Sequence, residues 1–151
     1  MADPLVAYDD LEQFLTTWYR WWFSTLEAPH AEIVAGTEVD RVEPPKAPFP
    51  AKLLVIRDDG GPDTSLLTGE RAVGLTVFAG TRLSPKPAKD LMRVVLAGLN
   101  QIPNTDLVLV EGLRNPVSAV LETGGPYPVE EAQDRARIYA PVTLGVTPVA
   151  L

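Results

Sequence analysis

Apolar residues at positions 11, 14, 15, 18, 22 and 26 recur at the three-and-four spacing of one helical face, so Tyr8 to Leu26 is predicted to form a helix. At about 100° per residue, Tyr8, Tyr19 and Phe23 fall beside that face and Trp21 falls on its other flank. The apolar arc then widens to about 200°, against a usual stripe of about 100°. Two arrangements accommodate it: a helix sunk deeply in its own core, or one in which another subunit covers part of the arc. Further along, Ile33 to Val42 mixes apolar and polar residues like a half-buried strand. Residues 44–50 hold four prolines, which impose an extended loop laid over the surface or against a neighbour. Leu53 to Arg57 and Ala72 to Ala79 read as strands, the latter rich in β-branched and aromatic residues.

A second helix is predicted from Ser84 as cap and Pro85 as first helical residue, with an apolar face at Ala88, Leu91, Met92, Val95, Leu99 and Ile102 and a stop at Pro103-Asn104. Lys86 and Lys89 in its first turn oppose the helix dipole, which suggests that they face something acidic or are simply tolerated. Leu107 to Glu111 and Pro116 to Glu122 read as short strands, and Gly124-Gly125-Pro126 breaks the chain. Ala136 to Val146 is a strand that Pro141 would place at an edge or a bulge. The order predicts a single α+β domain over residues 1–151, with a mixed or mainly antiparallel sheet flanked by two main helices.

Composition narrows the function classes. A 151-residue chain can bury roughly two-thirds of its unfolded surface. The absence of cysteine removes thiolate chemistry, disulfides and cysteine-zinc sites. No basic leader and no apolar run of about 18 residues is present, so neither a signal peptide nor a membrane span is expected. Twenty acidic against 13 basic residues give a net charge of −7. The densest basic pairs, Lys86 with Lys89 and Arg135 with Arg137, have the spacing of ordinary solvated faces, so tight nucleic-acid binding is not expected.

The segment Asp58-Asp59-Gly60-Gly61-Pro62-Asp63 is the stretch most suggestive of chemistry. A calcium loop would alternate its acidic ligands and close on a distant glutamate, and a phosphate loop would contain Gly-Lys; the segment has neither pattern. Asp-Gly and Gly-Gly-Pro are strong turn signals, so a turn between strands is the expectation, with no cofactor and no metal. A small hydrolase would have to use Ser65 or Ser118 with His30. Neither serine sits in a Gly-x-Ser-x-Gly elbow, so Ser65 reads as a turn residue and His30 as a cap. Glu130 and Glu131 are adjacent and read as solvated.

Several of these residues together resemble a known family. Val55-Ile56-Arg57 with Gly60-Gly61, Leu67-Thr68, Glu70-Arg71, the strand Ala72 to Ala79, the stripe Ala88, Leu91 and Leu99 ending in Ile102-Pro103, and the closing strand Ala136 to Ala140 resemble the tail terminator proteins of long non-contractile-tailed phages, especially those infecting actinobacteria. The similarity covers roughly residues 50–145, in pattern more than in rigid motif. It implies a non-enzymatic subunit of the virion, assembled in the host cytoplasm, that closes as a homohexameric ring on the head-proximal end of the tail. There it would stop polymerisation of the major tail tube protein and join the head-tail connector or stopper, with DNA passing through the lumen without specific binding. Arg57, Asp58, Asp59 and Asp63 are candidate contact residues beside Trp21 and Phe23; Asp58-Asp59 makes this loop more acidic than the family's arginine-rich version. A neck or head-completion protein is the alternative within the same assembly role, and the hydrolase the alternative outside it.

Overall fold

The computed structural model describes residues 6–7, 10–62, 68–106, 109 and 113–150. In chain order the elements begin β1 (Val6–Ala7), α1 (Leu11–Thr25), α2 (His30–Val34), β2 (Thr37–Asp40), β3 (Lys52–Gly60) and β4 (Gly69–Ala79). They continue with α3 (Lys86–Leu99), a 3-10 turn (Ile102–Asn104), β5 (Val117–Thr123), β6 (Tyr127–Val129), β7 (Ala136–Val146) and β8 (Val149–Ala150). The fold is α+β: a six-stranded mixed sheet ordered β2-β3-β4-β7-β5, with β6 also on β7, plus a small β1–β8 pair. Only β2 and β3 run parallel within the large sheet; its other pairs are antiparallel.

Period-two alternation decides what each sheet face carries. Leu54 and Ile56 of β3, Val73, Leu75, Val77 and Ala79 of β4, and alternate residues of β7 from Ala136 to Val146 share one apolar cluster with the buried sides of α1 and α3. Leu53, Val55 and Phe78, pointing the other way, form a small second cluster. The proline-rich residues 44–50 belong to the connection between the parallel strands β2 and β3, and Phe49 lies on the Arg135 guanidinium that also covers Phe78. Prolines suit such a covering segment because they lack an N–H that would need an acceptor. No helix among the described residues is long and apolar enough to cross a membrane.

The first helix starts at Leu11, where Asp10 caps it by accepting the Gln13 N–H at 2.9 Å; the predicted start at Tyr8 lies outside the described residues. The predicted strand Ile33 to Val42 is instead the end of α2 followed by β2. Gly36 at φ +73° separates them, a left-handed position that ends a helix and that glycine adopts without strain. Ser84 does not cap the second long helix. Its N–H donates to the backbone and side chain of Thr81, closing a turn, while Pro85 takes the cap position without a side-chain bond. Lys86 does face an acid, pairing with Asp90 one turn on at 2.7 Å. Of the predicted strand Leu107 to Glu111, all but Leu109 lies outside the described residues.

Pro141 is not at an edge of the sheet. It lies in β7, opposite Gly74 of β4, with β5 and β6 along the other side. The Pro141 carbonyl accepts the Gly124 N–H at 2.7 Å, so its missing donor also points to that side. There the partner chain turns through Gly124-Gly125-Pro126 between two short strands. The proline is tolerated in an interior strand because the ladder is interrupted beside it.

Candidate interaction surfaces

The acidic segment is strand and bulge more than free turn. β3 runs through Asp58 and Asp59 to Gly60, with a register shift between Asp58 and Gly60. Asp58 turns its Oδ1 onto the Gly60 N–H at 2.8 Å, and Gly60 supplies φ +84°, so the turn chemistry read from the sequence shapes a bulge at the strand's end. The Asp58 N–H in turn donates to Glu12 Oε2 at 2.8 Å, tying the first turn of α1 to this end of the sheet. Asp59 faces the exposed Arg57 at 3.7 Å. Asp63 and Ser65 lie outside the described residues. No group of three or more potential metal-ligating side chains forms among the described residues.

Trp21 and Phe23 stand elsewhere, at the opposite end of α1 from Glu12. Both are partly buried and lie against the core. Trp21 meets Trp18 edge-on at 6.2 Å and lines a shallow hollow of about 390 Å³ with Asn100, Asn104 and Thr105. Phe23 tilts against Tyr19 and Trp22 at 5.7 and 6.0 Å. The described candidate residues therefore form two separate surfaces. His30 is not a cap: it is the first residue of α2, with Pro29 in the cap position, and it lines an apolar groove of about 520 Å³ with Trp22, Leu26, Ile33 and Val94. Ser118 sits on β5, and no hydrogen bond joins it to His30 among the described residues.

Of the basic residues read as solvated, Lys86 and Lys89 are exposed and Arg137 is partly so, but Arg135 is not. The Arg135 side chain is only 8% exposed; its guanidinium lies 4.0 Å from the Phe78 ring centroid and 4.4 Å from that of Phe49. One terminal nitrogen bonds Glu43 and lies 3.6 Å from Glu131, which also faces Arg137 at 3.9 Å. Glu131, its side chain 10% exposed, is thus a largely shielded partner and not a solvated acid. Arg135 Nε and Nη1 and Arg137 Nε are buried without an acceptor; the two aromatic faces stabilise the Arg135 cation in their place.

These arginines back a groove of about 1050 Å³ between the start of α3 and the β6–β7 pair, whose lining also includes Arg82, Lys89 and Arg93. A basic cluster therefore exists, made by the fold from residues far apart in sequence. Its traces in the chain are the i,i+2 spacing of Arg135, just before β7, and Arg137 within it, which sets both over Phe78, and the i,i+4 spacing of Lys89 and Arg93 on one helix face. Comparison with protein-family models gives no match, and comparison with curated proteins gives none either.

Proposed function

We propose that the chain is a structural, non-catalytic virion protein: a tail terminator that closes as a hexameric ring at the head-proximal end of a long non-contractile tail. It stops tube growth and presents the surface that meets the connector, working by shape and surface complementarity. The sequence pattern behind this reading, residues 50–145, spans β3 to β7 and so supplies most of the large sheet.

The observation that carries the reading is where apolar surface remains uncovered. The sheet ends in two open edges, β2 on one side and β5 with β6 on the other. Of the four large hydrophobic side chains exposed among the described residues, Val42 follows β2, while Leu121 and Tyr127 lie on β5 and β6. The fourth, Leu83, is 98% exposed in the turn that carries Arg82. Single exposed apolar residues are ordinary. Three of the four stand at or next to the two edges, where unpaired backbone groups also invite partners, which suits a subunit that meets a neighbour on each side.

Electron microscopy of the purified protein, alone and mixed with tail tubes, tests this. Rings at one end of each tube are expected. A protein that binds only connector complexes would be a neck protein, and one that stays monomeric and leaves tubes uncapped is not a terminator.

A further inference from the structure

The β2 edge of the sheet and the groove between α3 and β6–β7 carry opposite charge. On the β2 side, Glu38 and Asp40 are exposed at alternate positions of the edge strand, and Glu32 is exposed on α2 just before it. The cations around them are already engaged. Lys52 Nζ donates to the carbonyls of Glu32 and Ile33 at 3.4 and 2.9 Å, Arg20 donates to the Val39 carbonyl, and Arg41 pairs with Asp10 at 3.5 Å.

On the β6 side the imbalance is reversed. Arg82, Lys89 and Arg93 are exposed around the groove, and no carboxylate pairs with their side chains among the described residues. Two of the nearby acids are paired, Glu131 with Arg135 and Arg137 and Asp90 with Lys86, while Asp134 accepts only the Arg82 backbone N–H. Glu130 and Asp134 remain exposed beside the groove, and Glu122 on β5. The buried unpartnered nitrogens of Arg135 and Arg137 add positive potential behind the groove.

We propose that these two surfaces are the halves of one subunit contact, in which the acidic β2 edge of one copy docks into the basic groove of the next. This rests on the ring-forming reading above and names the surfaces that close the ring. A second copy is the occupant that the charge pattern selects. The chain is acidic overall at −7, so the groove is a local exception, and its complement lies on the opposite edge of the same sheet. Two different matching patches make a head-to-tail contact, the kind that closes into a cyclic ring when its rotation divides the circle. Val42 beside the acidic edge, and Leu83 and Tyr127 near the groove, supply apolar area that charge pairs alone lack.

Paired charge reversals test the assignment. Lys89→Glu/Arg93→Glu makes the groove acidic, and Glu38→Lys/Asp40→Lys makes the β2 edge basic; all four positions are exposed. Each variant alone should keep its melting temperature and weaken self-association at least about 100-fold, read by sedimentation and native mass spectrometry. Mixed in equal amounts they should form rings of alternating subunits, because each edge then meets the opposite charge. If the lysine pair disturbs β2, Glu38→Gln/Asp40→Asn replaces it, with a loss of about tenfold expected.

Folded variants that fail to assemble when mixed would overturn the proposal. Variants that still form wild-type rings would overturn it too while leaving the ring reading intact. A wild-type protein that stays monomeric alone and on tail tubes would remove both. Intact rings in the groove variant, coupled to lost retention on double-stranded DNA at low salt, would make the groove a phosphate site instead.

Discussion

Trp18 and Trp22 stack at 5.3 Å with an 18° interplanar angle, and each indole nitrogen finds an acceptor: Trp18 donates to Thr105 Oγ1 at 2.9 Å and Trp22 to Gln101 Oε1 at 3.1 Å. Large rings are accepted here because α3 makes room. A Cβ on Gly98 would come within 2.6 Å of the Trp22 ring, so that glycine is required by close approach rather than by helix geometry. Trp18 is fully buried while Trp21 is only partly so. Trp18→Ala should therefore cost about 3–5 kcal/mol by chemical denaturation. Trp21→Ala should cost about 1 kcal/mol and show its larger effect on oligomer or tube binding; equal destabilisation with unchanged association would place Trp21 wholly in the monomer's core. Tyr19, fully buried, donates its hydroxyl to the Val95 carbonyl at 2.7 Å, and burial holds its pKa well above the usual phenol value. The folded state thus keeps a proton that the unfolded state releases above about pH 10, so stability present at neutral pH falls as pH rises beyond that point. Tyr19→Phe should cost about 1 kcal/mol at pH 7 and shrink the alkaline loss; an identical pH profile in the variant would show that Tyr19 does not drive it.

At the scale of elements, Arg135 fastens the proline-rich connection to the sheet, gripping Phe49, Glu43 and Glu131 over Phe78. Arg135→Ala should cost about 3 kcal/mol, because Glu131 is left largely shielded with only the more distant Arg137. Residues 44–50 should then become cleavable by protease before global unfolding, a local opening that limited proteolysis detects. Adding Glu131→Gln should recover part of the loss; no recovery would mean that the rings rather than the charges hold the segment. This fastening was not legible in the chain, since Phe49, Phe78 and Arg135 are brought together only by the fold. By contrast, the three-and-four pattern of α1 and α3 and the strict alternation of β7 were legible, because in those elements the residues facing the core recur at the element's own period. The sequence misled where one residue changes the geometry: Gly36 divides an apparent strand into helix and strand, and Pro141 sits in an interior strand whose neighbour turns away. Of the candidate site residues, Asp58 was legible as turn chemistry, whereas the basic groove was not, because its members come from α3, the turn before it and β7.

At the scale of the whole molecule, charge is sorted: basic residues gather at the α3–β6 groove, while Glu12, Asp58 and Asp59 hold the far end of β3. On the proposed reading six copies would close a ring of about −42, through which DNA must slide without sticking. A basic wall would bind phosphates by releasing counterions, whereas an acidic wall avoids that hold. We expect the Asp58-Asp59 end to face the lumen or its rim, because the lateral edges are assigned to neighbouring subunits. The variant Asp58→Asn/Asp59→Lys isolates charge from folding. Asparagine keeps an oxygen for the Gly60 N–H, and the Asp59 pair with Arg57 that is lost is an exposed contact, worth at most about 1 kcal/mol. Rings should form as in the wild type, since neither edge is touched, and genome ejection should slow, more at low salt than at high salt. Normal ejection with failed capping of tubes would move this end from the lumen to the face that meets the tube.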